Sequence, residues 1–147
     1  AGGRVHVWDE DGKLIFDKAF SDRQPCYVSI QDGTLVAASG TYILTWEISS
    51  GITEEIQVAS RVHSLGRGPN GCCALGLENA SIELRNLKLE LLSCRIGAHR
   101  HPVSACCATD SGLVTGDAAG NLASWKMDTS VQDGESWEKM WTAYHED

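Results

Sequence analysis

Val5-His6-Val7-Trp8-Asp9, Tyr42-Ile43-Leu44-Thr45-Trp46-Glu47 and Asn121-Leu122-Ala123-Ser124-Trp125-Lys126 are three strand-like runs, each closing on a tryptophan and a charged residue. A fourth run, Ser81-Ile82-Glu83-Leu84-Arg85-Asn86, falls in step with them. From Trp8 to Trp46 to Arg85 to Trp125 the spacings are 38, 39 and 40 residues. One supersecondary unit therefore recurs through nearly the whole chain, and a repeat of that length is the signature of a β-propeller.

Between these anchors the same order returns: a short apolar strand, a glycine-containing turn, a second strand, another turn, the anchor strand, a turn and a last strand. In the first full unit this predicts strands over Cys26 to Ile30, Leu35 to Ala38, Tyr42 to Ile48 and Glu55 to Val58, with a turn at Asp32-Gly33. The second unit predicts Val62 to Leu65, Cys72 to Leu77, Ser81 to Leu87 and Glu90 to Cys94. The third predicts Val103 to Ala108, Leu113 to Gly116, Asn121 to Met127 and, after a polar insertion over 128–136, Trp137 to Tyr144. Arg4 to Trp8 and Leu14 to Phe20 supply the last two strands of an earlier unit. Four antiparallel strands make one propeller blade. The chain divides into the end of one blade (1–22), two blades (23–60 and 61–98) and a blade carrying the insertion (99–147). Closed rings take about 4 to 8 blades. Three and a half blades are thus expected either to be part of a longer propeller or to complete the ring with another copy or a partner.

Composition limits the function classes. The 147 residues suffice for one domain with a core. No apolar run approaches the roughly 20 residues that span a bilayer, and the chain is read as soluble. Twelve Lys and Arg against 20 Asp and Glu give a formal charge of −8. That balance argues against nucleic acid or anionic lipid and favours neutral or basic partners. No signal peptide or initiator methionine precedes Ala1, so a processed product or an excised segment is expected.

The cysteines do not read as a disulfide framework. Cys72 with Cys73 and Cys106 with Cys107 are neighbours in strand-like stretches, and neighbours on a strand face opposite ways. No CxxC occurs. Buried free thiols in a reducing compartment are expected, and the sequon at Asn79-Ala80-Ser81 is discounted on that ground.

Taken with these motifs, the chain resembles the WD40-repeat family over essentially all of its length. Gly97-Ala98-His99 stands where the family has its Gly-His pair, Leu113-Val114-Thr115-Gly116-Asp117 looks like its second strand, and Trp125 ends the pattern. The Trp-Asp dipeptide survives only at Trp8-Asp9 and becomes Trp46-Glu47, Arg85-Asn86 and Trp125-Lys126 elsewhere. At the family's turn aspartate, six residues before the tryptophan, this chain has Gly2, Gly40, Asn79 and Ala119. The resemblance therefore implies that the family's network of His, Asp, Ser or Thr, and Trp is intact in no blade, leaving a degenerate WD40-like propeller held by strand pairing and packing.

No catalytic or metal constellation emerges. Gly66-Arg67-Gly68-Pro69-Asn70-Gly71 has the letters GxGxxG, but a dinucleotide site needs a helix to follow, whereas an apolar strand-like run begins at Cys72. Cys94, His99 and His101 are metal-binding types at no standard spacing. No nucleophile motif is found, and Asp9-Glu10-Asp11-Gly12 reads as a hairpin loop. The chain is accordingly read as non-enzymatic, without cofactor or metal, and intracellular in the cytoplasm or nucleus.

The resemblance implies partner docking on the face formed by loops entering the innermost strands and loops joining second and third strands. The first set is Asp22-Arg23-Gln24, Ser60-Arg61 and His99-Arg100-His101; the second is Thr41-Tyr42, Glu78-Asn79 and Asp117-Ala118. Arg23, Tyr42, Arg61, Arg100, His101 and Asp117 are the candidate contacts, arginine and tyrosine being favoured interface anchors. The expected function is a protein-binding scaffold within a larger protein or complex. The alternatives are a propeller enzyme whose site lies in further blades, or a self-assembling ring with glycan- or ligand-binding loops.

Overall fold

A computed structural model describes residues 3–20, 24–109, 112–126 and 137–143. They form fourteen strands: β1 (Arg4–Trp8), β2 (Leu14–Ala19), β3 (Cys26–Gln31), β4 (Thr34–Ser39), β5 (Tyr42–Glu47), β6 (Thr53–Gln57), β7 (Val62–Arg67), β8 (Cys73–Leu77), β9 (Ile82–Arg85), β10 (Leu91–Arg95), β11 (Val103–Ala108), β12 (Gly112–Asp117), β13 (Leu122–Lys126) and β14 (Glu138–Ala143). Within each sheet, strands adjacent in sequence pair antiparallel. The result is a two-stranded first sheet, β1-β2, and three four-stranded sheets, β3-β4-β5-β6, β7-β8-β9-β10 and β11-β12-β13-β14. No helix among the described residues is long and apolar enough to cross a membrane.

The sheets pack face to face in chain order, and the side-chain alternation of a strand explains how. On β4, Leu35 and Ala37 join Val5, Phe20, Leu44 and Trp46 in the layer between the first and second sheets. Val36 and Ala38 point the other way, into the layer with Val62, Cys73, Leu75 and Leu77 of the third sheet. Ala74, Ile82 and Leu84 then meet Val103, Leu113, Ala123 and Trp125 of the fourth sheet. With sheets packed on both of their faces, β4 and β8 are buried at every position, and β4 is apolar from Leu35 to Ala38. Cys72 and Cys73 enter different layers, as the strand period requires, and all six cysteines are free thiols.

The first strands of the three full sheets, β3, β7 and β11, run beside one another. The Ser64 hydroxyl of β7 donates to the Val103 carbonyl of β11 at 2.9 Å. Gly76 lies against the same junction, where a Cβ would collide with Ser64 Oγ and the Val103 carbonyl oxygen. In the stretch with the letters GxGxxG, Pro69–Gly71 forms one short 3-10 turn and strand β8 follows, so no helix dipole faces that loop.

Candidate functional site

Among the described residues, the loops singled out in the sequence come together along one side of the sheets, joined by backbone and serine hydrogen bonds. Within the third sheet, the Glu78 amide donates to the Arg61 carbonyl at 2.8 Å and the Asn79 amide to Ser60 Oγ at 3.1 Å. In the fourth, Ala118 N donates to the Pro102 carbonyl at 3.0 Å; in the second, Ser39 Oγ donates to the Gln24 carbonyl at 3.2 Å. Bonds also run between sheets, from Val62 N to the Gly40 carbonyl at 2.8 Å and from His99 N to the Ala80 carbonyl at 3.2 Å. Entering loops and turns between second and third strands thus form one continuous ribbon.

At the fourth sheet this ribbon is anchored by a buried polar network. The Trp125 indole N–H donates to Thr115 Oγ1 at 2.9 Å, Thr115 Oγ1 lies 2.7 Å from His99 Nε2, and His99 Nδ1 lies 3.1 Å from Asp117 Oδ2. With neutral His99 protonated on Nδ1, every group is satisfied: the ring donates to the carboxylate and the threonine hydroxyl donates back to Nε2. The side chains of His99 and Asp117 are 4% and 1% exposed, so water cannot substitute for these partners. Burial lowers the pKa of His99 below its ordinary range, with Lys139 acting in the same direction and bonding to Asp117 opposing it. For Asp117, burial works to raise the pKa, but donors from Asn121, Ala119 and His99 together outweigh it and leave it lowered.

This network corrects the expectation that no unit would hold one. Ala119 cannot serve at the six-residue position, but Asp117 sits two residues earlier at the end of β12, and the turn folds its carboxylate back over the loop. Its Oδ1 accepts from the Ala119 and Asn121 amides at 2.9 and 3.0 Å, and Gly120, at φ 88°, closes the turn. Strand register shows why the other full sheets lack the network. Leu113, Leu35 and Cys73 each pair with the anchor residue of their sheet, so Thr115 corresponds to Ala37 and Leu75, which have no hydroxyl. Trp46 stacks instead on Phe16, with centroids 4.5 Å apart, and Arg85 spans to Glu83 at 2.7 Å and to the Leu89 carbonyl at 2.8 Å.

The candidate contacts divide accordingly. Arg61, Arg100 and His101 are exposed on the ribbon. Asp117 is 6% exposed with its oxygens occupied, which makes it an internal anchor of the loops and corrects its reading as a surface contact. Tyr42 is half-buried and packs on the layer between the first two sheets. Arg23 and the insertion over 128–136 lie outside the described residues. Arg100 and His101 line a cleft of about 570 Å³ together with Lys139 and Thr142 of β14. The sequence reading missed Lys139. The pairing of β13 with β14 shifts between Ser124 and Trp125, setting Lys139 opposite Trp125, and its ammonium sits 4.9 Å from the centre of that ring.

No family model matches the chain, and no curated protein matches it. Among solved structures it is similar to the crystal structure of the computationally designed Ika8 protein, with a TM-score of 0.74 and 16% identity over 96% of this chain. That likeness is one of fold, and the chain spans 43% of the designed protein's length.

Proposed function

We propose that this chain is a section of a WD40-like β-propeller that works as a non-catalytic scaffold, docking other proteins through the loop ribbon, within a larger intracellular protein or complex. The observation that carries this reading is the ribbon itself. Loops from successive sheets are bonded to one another along one side, and they present Arg61, Arg100 and His101 to solvent on a backbone already held in place. A preformed surface loses less conformational entropy when a partner arrives.

The propeller arrangement is supported by four features: the repeat of 38 to 40 residues, the antiparallel four-stranded sheets, the neighbouring first strands, and the His99, Thr115, Asp117 and Trp125 network. The two-stranded first sheet favours completion by further strands, from the same protein or another chain. Trp8, Leu14 and Ile15 of that sheet are 57%, 46% and 40% exposed.

The test is the combined variant Arg61→Ala, Arg100→Ala and His101→Ala. Tyr42 is left intact because its packing would confound the result. Capture of the native complex should fall about tenfold or more, as expected when interface anchors worth over 1 kcal/mol each are lost, with no change in melting temperature. Undiminished capture by the folded variant would refute docking through this ribbon.

A further inference from the structure

The cleft between the Gly97 to His101 loop and strand β14 carries local charge opposite to that of the chain as a whole. Arg100 and His101 reach it from the loop and Lys139 from β14, all three exposed, in a protein of net charge −8. Asp117 is the one carboxylate lining the cleft among the described residues, and its oxygens are already taken by Asn121, Ala119 and His99. Among the described residues, neither Arg100 nor His101 makes a side-chain hydrogen bond or ion pair, and Lys139 leans on the Trp125 ring with no carboxylate paired to it. Arg95 adds a second cation beside that ring, its guanidinium carbon 5.8 Å from the centroid.

Two features narrow the ligand. The wall that carries Arg100 and His101 is fixed, because the ring of His99 is bonded at both nitrogens and its backbone amide is tied to Ala80. A guanidinium, an ammonium, an imidazole and the Thr142 hydroxyl around one space suit an anion with several acceptor oxygens. A phosphomonoester offers three, with a charge of about −1.5 to −2 at neutral pH, whereas a carboxylate offers two and a single charge. The volume of about 570 Å³ also exceeds the needs of a lone ion and leaves space for the residues flanking a modified side chain.

We propose that this cleft receives a phosphorylated serine or threonine in an extended segment of a partner protein, with Arg100 and Lys139 as its charge partners and His101 as a further donor. The proposal rests on the docking function and gives one of its partners a chemistry.

The test is fluorescence anisotropy of the full chain with a labelled Gly-Gly-phosphoserine-Gly-Gly peptide at low ionic strength, beside its unphosphorylated serine twin and unlabelled inorganic phosphate as competitor. The phosphopeptide should bind saturably. Arg100→Gln and Lys139→Met should each weaken it about tenfold, the scale of one lost charge-assisted hydrogen bond. Lys139→Arg, which keeps the cation over Trp125, should retain binding, and Lys88→Gln, in an exposed turn on the opposite side, should leave it unchanged. Equal affinity for the serine twin, undiminished binding by the Arg100→Gln variant, or inorganic phosphate competing as strongly as the phosphopeptide would each overturn the proposal. Such a failure is separable from failure of the docking function, which is read from capture of the native complex without any phosphopeptide.

Discussion

Thr115 is the link between the anchor tryptophan and the loop histidine, since its oxygen accepts from Trp125 and its hydroxyl proton serves His99. Thr115→Val keeps the shape and removes both bonds, orphaning an indole N–H on a residue 2% exposed and an imidazole nitrogen. Each orphaned group should cost about 1–3 kcal/mol in urea unfolding, more than a surface threonine would. The lowered pKa of His99 gives this site a pH signature. The unfolded chain binds a proton at His99 more readily than the folded one, so its contribution to stability is complete above about pH 6.5 and is lost as pH falls below it. His99→Gln should therefore flatten the fall in stability between about pH 7 and 5, where one such group changes the slope by at most about 1.4 kcal/mol per pH unit. Unfolding curves at several pH values check this, and an unchanged slope would mean that His99 takes up its proton equally readily in the folded and unfolded chain. The sequence contained His99, Thr115 and Trp125 in plain order. It did not reveal that Asp117 would replace the missing turn aspartate, because that depends on how the turn from Asp117 to Asn121 folds back over the loop.

At the scale of elements, strands were the legible part. Apolar runs bounded by turns at Asp32-Gly33 and Pro69-Asn70-Gly71 mark β3, β4, β7 and β8 to within two residues, because a half-buried or fully buried strand leaves its pattern in the chain. Register was less legible. The shift between Ser124 and Trp125 leaves Met140 outside the paired register at 55% exposure and brings Lys139 opposite Trp125, and no count of residues reveals a bulge in advance. Close approach between elements was equally hidden. Gly76 reads as an ordinary strand glycine, yet it faces Ser64 and the Val103 carbonyl where two sheets meet. Gly76→Ala should cost about 1–3 kcal/mol by forcing β8 away from that junction. Loss of that size in thermal unfolding is the expected result, against a change near zero if the sheets could part freely.

For the whole molecule, three apolar layers between four sheets supply the rigidity, and the loop ribbon along one side uses it. Charge is unevenly distributed: the chain is acidic overall, yet Arg100, His101 and Lys139 share one cleft. Under the proposed docking function, such a surface would steer basic partners broadly while the cleft takes an anionic group. The layered fold was readable from the repeat, whereas the cleft was not, because its residues are about 40 positions apart and meet only through β13 and β14. Hydrogen exchange of the chain, free and within its captured complex, tests the docking claim most directly. Docking through the ribbon predicts slowed exchange at residues 58–62, 78–81, 97–102 and 117–121, with the turns at 48–53 and 86–90 on the opposite side unchanged. Protection confined to those opposite turns, with the ribbon exchanging as it does in the free chain, would contradict it.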